Sequence, residues 1–230
     1  MYDPPEALGL TDRSTPEERR RAAFDFAHQL GHMTFATVAE DGATPTARAI
    51  EVHYLTTKPE LYIGVSKGKP LYAELLRHPY LTGVATRLTT GRLSISVRIT
   101  AHVTPADDPA LRKRYWELNP GTASLYHKDP DNFRLFHLDR GDGEVFHLAL
   151  AHAVARVRFA WGGDEPRPWR YQITDACVGC ATCIEACMTG VIRIRDRKAA
   201  IDYRGCLECG RCHDVCLADA VKKNVYGSAD

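Results

Sequence analysis

Cys177-Val-Gly-Cys180-Ala-Thr-Cys183-Ile-Glu-Ala-Cys187 and Cys206-Leu-Glu-Cys209-Gly-Arg-Cys212-His-Asp-Val-Cys216 decide how this 230-residue chain is read. The two runs share one spacing, Cys-x2-Cys-x2-Cys-x3-Cys, and hold all eight cysteines; the first 176 residues have none. Disulfides that staple a secreted chain are spread along more of it, so thiols crowded this way point to metal in a reducing compartment. Between the runs, Val191–Arg195 and Ala199–Asp202 form an expected hairpin, and Tyr171–Ile173 with Ala220–Val221 supply an outer strand pair.

The doubled spacing resembles that of bacterial two-cluster ferredoxins over nearly all of residues 168–230. In that pattern three closely spaced thiolates wrap one face of an iron–sulfur cube. The fourth, three residues further along a short helix, points away and reaches the other cube. The resemblance assigns Cys177, Cys180, Cys183 and Cys216 to one 4Fe-4S cluster, and Cys206, Cys209, Cys212 and Cys187 to the other. Structural zinc and disulfides are the competing readings; zinc sites favour paired Cys-x2-Cys units without the interleaved third and fourth cysteine. The proline that usually follows each fourth cysteine is replaced by Met188 and Leu217, which leaves the ligand sets intact. Four thiolates on an oxidised +2 core carry −2, so two clusters take residues 168–230 from +1 to about −3. Many free ferredoxins are far more acidic, which steers them to partners; weak charge fits a ferredoxin whose main partner is covalently attached.

Upstream, Trp161-Gly-Gly-Asp-Glu-Pro-Arg-Pro168 has linker composition. It divides the chain into a first domain of residues 1–160, a linker of 161–167 and the cysteine domain of 168–230. The balance of 30 Lys+Arg against 29 Asp+Glu excludes a dedicated nucleic-acid binder, and 44% hydrophobic residues exclude a disordered chain. No stretch approaches the ~18–20 apolar residues of a membrane helix; the best run, Leu148–Ala155, is short and contains His152. The opening MYDPPEALGLTDRS lacks an apolar signal core. These features predict a soluble cytoplasmic protein with neither nucleic acid nor membrane as a partner.

The first domain reads as one helix followed by strands. Ser14-Thr15-Pro16-Glu17-Glu18 supplies capping hydroxyls, a first-turn proline and acids at the positive end, and Gly31 closes the helix. Met33–Ala39 and Thr46–Leu55 flank the Asp41-Gly42 hairpin signal, and Leu61–Val65 is a third strand. Pro70–Arg77 is a short helix, Leu81–Leu88 and Leu93–Val103 are strands, and Pro109–Leu118 is helical. Asn119–Pro130 reads as loop and Glu144–Leu148 as a late strand. The fold class is α+β: an antiparallel split or closed β-barrel followed by a small ferredoxin-type α+β domain.

A ferredoxin delivers single electrons, so a flavin, which handles one or two, is its natural neighbour. Leu61-Tyr-Ile-Gly-Val-Ser-Lys-Gly-Lys-Pro70 runs from strand into helix and offers a phosphate site. Ser66 supplies a hydroxyl, Lys67 and Lys69 supply charge, and the helix start adds free N–H groups and a positive dipole end. Arg48 on the preceding strand can add a bidentate contact. Solvated surface residues are the plainer reading of the same side chains.

Taken in order, residues 20–148 resemble the pyridoxamine 5′-phosphate oxidase-like FMN-binding split barrels. The resemblance is carried by Arg48-Ala-Ile-Glu-Val-His53, by Ser66-Lys67-Gly68-Lys69 leading into Pro70-Leu71 and His78-Pro79, and by Arg92–Val103 followed by Tyr115-Trp-Glu-Leu-Asn119. It implies an FMN whose ring and phosphate lie on residues such as Arg48 to His53, Ser66, Lys67 and Lys69, and a homodimer with FMN at the interface. His53 stands where the oxidases often carry lysine. Those enzymes end in an Arg- and Trp-bearing substrate segment, whose place the cysteine domain takes here, which argues against vitamin B6 oxidation. Related barrels also bind deazaflavins.

The ten histidines include no His-x-His or His-Glu-x-x-His pattern, and His213 is expected to tune its cluster through hydrogen bonds. Arg112-Lys-Arg114 reads as a solvated helix face, and Trp161 and Trp169 as packing between the halves. The sequence predicts an electron-transfer flavoprotein passing electrons between FMN and two 4Fe-4S clusters and an external donor or acceptor. The alternatives are a flavin-dependent reductase of a small organic substrate and a non-catalytic redox sensor or flavin store.

Overall fold

Thr15 starts the first helix. In the computed structural model, which describes residues 8–11, 13–88, 94–148 and 154–225, the Thr15 hydroxyl accepts from the Glu18 N–H. The Glu18 carboxylate in turn accepts from the Thr15 N–H at 2.7 Å. This reciprocal cap, with Pro16 in the first turn, fixes α1 at Pro16–Leu30. Then follow β1 (His32–Val38), β2 (Pro45–Glu51), β3 (Tyr62–Ser66), α2 (Pro70–Arg77), β4 (Tyr80–Leu88) and β5 (Ser94–Pro105). α3 (Pro109–Leu118), α4 (Pro120–Leu125), β6 (Phe133–Leu148) and β7 (Val154–Trp161) complete the barrel. The cysteine domain holds β8 (Tyr171–Ile173), α5 (Thr182–Glu185), β9 (Ile192–Arg195), β10 (Lys198–Ile201), α6 (Arg211–Asp214) and β11 (Val221–Lys223).

Among the described residues, seven strands form one antiparallel sheet in the order β2-β1-β4-β5-β6-β3, with β7 also on β6. The sheet closes at one point: past the end of β2, His53 and Tyr62 exchange backbone hydrogen bonds of 3.1 and 3.0 Å. A seam of one bridge is what makes the barrel split. β6 is the corner strand. Its first part, Phe133 to His137, pairs with β3, its second, Gly141 to Leu148, with β7, and both lie against β5. At the corner the backbones crowd; a Cβ on Gly141 would stand 2.1 Å from the Thr100 carbonyl oxygen, so no larger residue fits.

β1 and β4 alternate buried with more exposed residues, and the buried set points into a core. α1 covers that core with Ala23, Phe24, Phe26 and Ala27. Phe24 meets the edges of Trp161 and Phe159 at 5.0 and 6.2 Å, and the Trp161 Nε1–H donates to the Leu138 carbonyl. Each such ring contributes roughly 1.5–3 kcal/mol by burial. No helix among the described residues is long and apolar enough to cross a membrane.

Four expectations need correction. β6 begins at Phe133, not Glu144. β7 was not foreseen, because its arginines interrupt what would otherwise be an apolar run. Asn119–Pro130 is not all loop: Pro120 opens α4. Trp161 packs in the barrel core and not between the halves. Beyond it the chain turns at Gly162, φ 67, where an added Cβ would lie 2.3 Å from the Asp139 carbonyl oxygen. Gly162→Ala is therefore expected to cost roughly 2 kcal/mol or more through the left-handed backbone and the clash. Thermal unfolding should show a midpoint several degrees lower.

Candidate functional site

The two cysteine loops follow one backbone course. Positive φ recurs at equivalent places, at Gly179 and Glu208, at Ala181 and Gly210, and at Gly190 and Asp219. Turns of this kind let successive N–H groups converge on a common centre, the arrangement found around anions and iron–sulfur groups. β8 pairs with β11 and β9 with β10, the two hairpin pairs expected.

Around these loops are two recesses. One is lined by Cys177, Cys180, Cys183 and Cys216 among Ile173, Val178, Ala199 and Val221. The other is lined by Cys187, Cys206, Cys209 and Cys212 among Val191, Ile192 and Ile201. Cys187 thus stands with the second run and Cys216 with the first. Backbone N–H groups already point at sulfur: Ala199 at Cys177 (3.4 Å), Glu208 at Cys206 (3.3 Å) and Ala220 at Cys216 (3.2 Å). The Thr182 hydroxyl, 3.5 Å from Cys180, holds that thiol below its ordinary range. Burial pushes Cys183 and Cys206 up, and Cys212 up to about 11, so ligation by these sulfurs releases protons. Four soft sulfur donors around an apolar recess, with N–H donors behind them, fit an iron–sulfur cluster. The His213 Nδ1 lies 2.7 Å from the Val221 carbonyl and anchors β11.

The second recess abuts the barrel. Along β7, Ala155, Phe159 and Trp161 enter the core, while Arg156 and Arg158 point the other way into a buried junction. Arg156 and Arg158 both pair with Glu144 of β6, at 2.6 and 3.3 Å, and with Glu208 of the cysteine domain, at 2.9 Å each. Trp169 lies 3.9 Å from the Arg158 guanidinium and stacks on Tyr203 at 4.8 Å, so it does join the halves as expected. Arg167 ties the intervening segment down through Asp142 and Thr100. Sequence reasoning missed this quartet. The signal was available in Ala155-Arg-Val-Arg-Phe159, a period-two strand with arginine on one face.

In the barrel, Ser66 is buried at the end of β3, and Lys67 and Lys69 are exposed at the start of α2. Lys69 caps α2 with no side-chain hydrogen bond; Pro70 brings no N–H, and the Tyr72 N–H donates to the Lys69 carbonyl at 3.0 Å. Among the described residues neither lysine pairs with a carboxylate. Arg48 behaves differently. Its Nη1 donates to the Glu74 carboxylate at 2.9 Å and to the Thr37 hydroxyl, and its Nη2 to Thr46 at 2.7 Å. Burial pushes Glu74 up, but the Thr37 and Arg48 hydrogen bonds outweigh it and leave the carboxyl below its usual range. His53 sits beside the barrel seam, 5.4 Å from the Tyr115 ring. Its buried Nε2 lies 3.9 Å from Glu51 and makes no hydrogen bond. Burial lowers its pKa, so the ring is neutral at pH 7. An orphaned ring nitrogen, an uncapped helix start and two unpaired lysines fit a phosphate-bearing, polar-edged group such as a flavin nucleotide.

Residues 176–220 match the family model of a 4Fe-4S dicluster domain. Ferredoxin-1 of Caulobacter vibrioides is 34% identical over 62 residues, 26% of this chain, and the chain spans 55% of that relative's length. A NimC/NimA family protein of Clostridium acetobutylicum superimposes with a TM-score of 0.50 at 18% identity, covering 61% of this chain and 91% of its own. PhzG of Burkholderia lata, solved with tetrahydrophenazine-1-carboxylic acid, gives 0.50 at 15% identity, covering 70% and 97%. At such identities the likeness is one of fold. The chain joins an antiparallel split barrel with the fold of these two proteins to a C-terminal domain similar to 4Fe-4S dicluster ferredoxins.

Proposed function

We propose that this chain is an electron-transfer flavoprotein, passing electrons between two 4Fe-4S clusters and an FMN in the barrel, and on to an external redox partner. The observation that carries the reading is the composition of the two recesses, each lined by the four cysteines that the crossed ligand assignment requires. In this reading Cys177, Cys180, Cys183 and Cys216 hold one cluster, and Cys187, Cys206, Cys209 and Cys212 hold the other. When bound, the clusters carry electrons singly and the flavin carries one or two, so together they convert pairs into single steps.

The barrel residues bind and orient. Lys67 and Lys69, with the positive end of α2 and the Ser66 hydroxyl, take the phosphate. His53 offers its Nε2 to the polar edge of the ring. Arg48 holds Glu74 and, through it, the second half of α2 against β2. A homodimer with the flavin between copies is the expected assembly.

Anaerobically purified protein is expected to contain about eight iron and eight sulfide per chain, and one FMN. Rapid reduction by dithionite, followed at cluster and flavin wavelengths, should show the clusters reduced first and the flavin after them. A flavin that stays oxidised beside reduced clusters would leave a sensor or store, and turnover of a small organic acceptor would make the protein a reductase.

A further inference from the structure

Glu208 stands where the first cysteine loop has Gly179, and both backbones are left-handed, with φ 55 and φ 71. Glycine adopts that conformation freely and glutamate does not, so the side chain must be held there by what it touches. Its carboxylate takes a forked pair of hydrogen bonds from Arg158 Nη2 at 2.9 and 3.0 Å and one from the Arg170 N–H at 2.6 Å. Arg156 Nη1 reaches Glu208 at 2.9 Å and donates to the Cys206 carbonyl at 3.1 Å. The Glu208 N–H donates to the Cys206 sulfur itself. Both arginine side chains are 7% exposed, Glu208 12% and Glu144 11%. Two positive and two negative charges therefore stand mostly buried directly behind the sulfur-bearing loop of one recess, and all four side chains also line a water-accessible pocket of about 420 Å³. Beside the other recess the ion pair of Lys198 and Asp175 is solvent-exposed, at 45% and 104%.

We propose that this quartet sets the reduction potential of the cluster held by Cys187, Cys206, Cys209 and Cys212, Arg156 raising it and Glu208 lowering it. The barrel thereby tunes the cluster next to it and leaves the outer one alone. The proposal rests on the cluster assignment above. Reduction adds one electron from an external one-electron donor, forms and breaks no bond, and moves no proton. The added negative charge is stabilised by a nearby cation and opposed by a nearby carboxylate, and with side chains this far buried neither field is fully screened. Because the quartet is neutral overall, removing either member uncovers the opposite charge, so the two removals act with opposite sign.

The test is an anaerobic redox titration of the full chain, followed by electron paramagnetic resonance, for wild type, Arg156→Gln and Glu208→Gln. One midpoint is expected to fall in Arg156→Gln and the same midpoint to rise in Glu208→Gln. Each shift should be about tenfold in the reduced-to-oxidised ratio, ~59 mV for a one-electron couple, with the second midpoint unmoved. Shifts in the same direction, shifts of both midpoints together, or no shift overturn the tuning role. Loss of the near cluster's signal in both variants also overturns it, since the quartet then builds the site and does not tune it. Should only Arg156→Gln lose the cluster, the rise in Glu208→Gln still decides. Iron and sulfide analysis of the wild type reads the cluster assignment separately: their absence sinks that assignment before any midpoint is measured.

Discussion

A chain carrying both Cys187→Ala and Cys206→Ala is expected to keep about half its iron and sulfide, whereas Cys183→Ala with Cys187→Ala should lose nearly all of both. The contrast follows from which thiols share a recess. Cys187 and Cys206 line the same one, so the first double variant damages a single site and leaves Cys177, Cys180, Cys183 and Cys216 complete. Cys183 and Cys187 lie four residues apart in sequence but line different recesses, so the second variant breaks both. If each run of four held its own cluster, the outcomes would be reversed, with Cys183→Ala/Cys187→Ala the milder. Iron and acid-labile sulfide per chain, with the low-temperature resonance of the reduced protein, decide between the two patterns. The effect is large because a cluster short of one thiolate loses a covalent ligand that nothing else in the apolar recess replaces.

The cysteine domain was legible in the sequence because its information is local. Spacings of three and four residues dictate where a thiol points, and the short strands Tyr171–Ile173 and Ile192–Arg195 fell where the alternation placed them. The barrel was legible at its hairpins and caps, where Thr15-Pro16-Glu17-Glu18 or Lys69-Pro70 act within one turn. It was not legible at the corner, since the pairing of β6 with three strands depends on partners far away in the chain. Arg48 shows the same limit within the candidate site. Its residue type and place on β2 invited a phosphate, but Glu74, 26 positions away, faces it across the fold. Glu208 shows it again: a cysteine-loop residue whose partners, Arg156 and Arg158, sit 52 and 50 positions upstream on a strand that charged residues disguised.

Lys67→Glu/Lys69→Glu is expected to weaken FMN binding on the order of 10²–10³-fold while leaving thermal stability and both clusters unchanged. Both lysines are exposed and unpaired among the described residues, so the fold loses no contact, whereas a dianionic phosphate at the start of α2 would meet repulsion in place of two charge-assisted hydrogen bonds. Equilibrium titration of flavin-free protein with FMN, read by flavin fluorescence, measures the loss, and unchanged affinity would move the phosphate elsewhere. Arg48→Ala should separate from this pair by its stability. It strands the Glu74 carboxylate, whose side chain is 1% exposed, at a cost of roughly 2–4 kcal/mol after allowing for Arg48 being 27% exposed. The pH dependence then changes sign. In the wild type Glu74 is held below its usual range, so its contribution is present above about pH 4.3 and is lost as pH falls through the lower folded value. Without Arg48 the burial that opposes ionisation gains weight, the folded carboxyl titrates higher, and acidification restores part of the stability by protonating it. Unfolding midpoints for wild type and Arg48→Ala should therefore converge between pH 7 and pH 4; a constant gap would mean that Arg48 does not neutralise Glu74 and is free to meet the flavin.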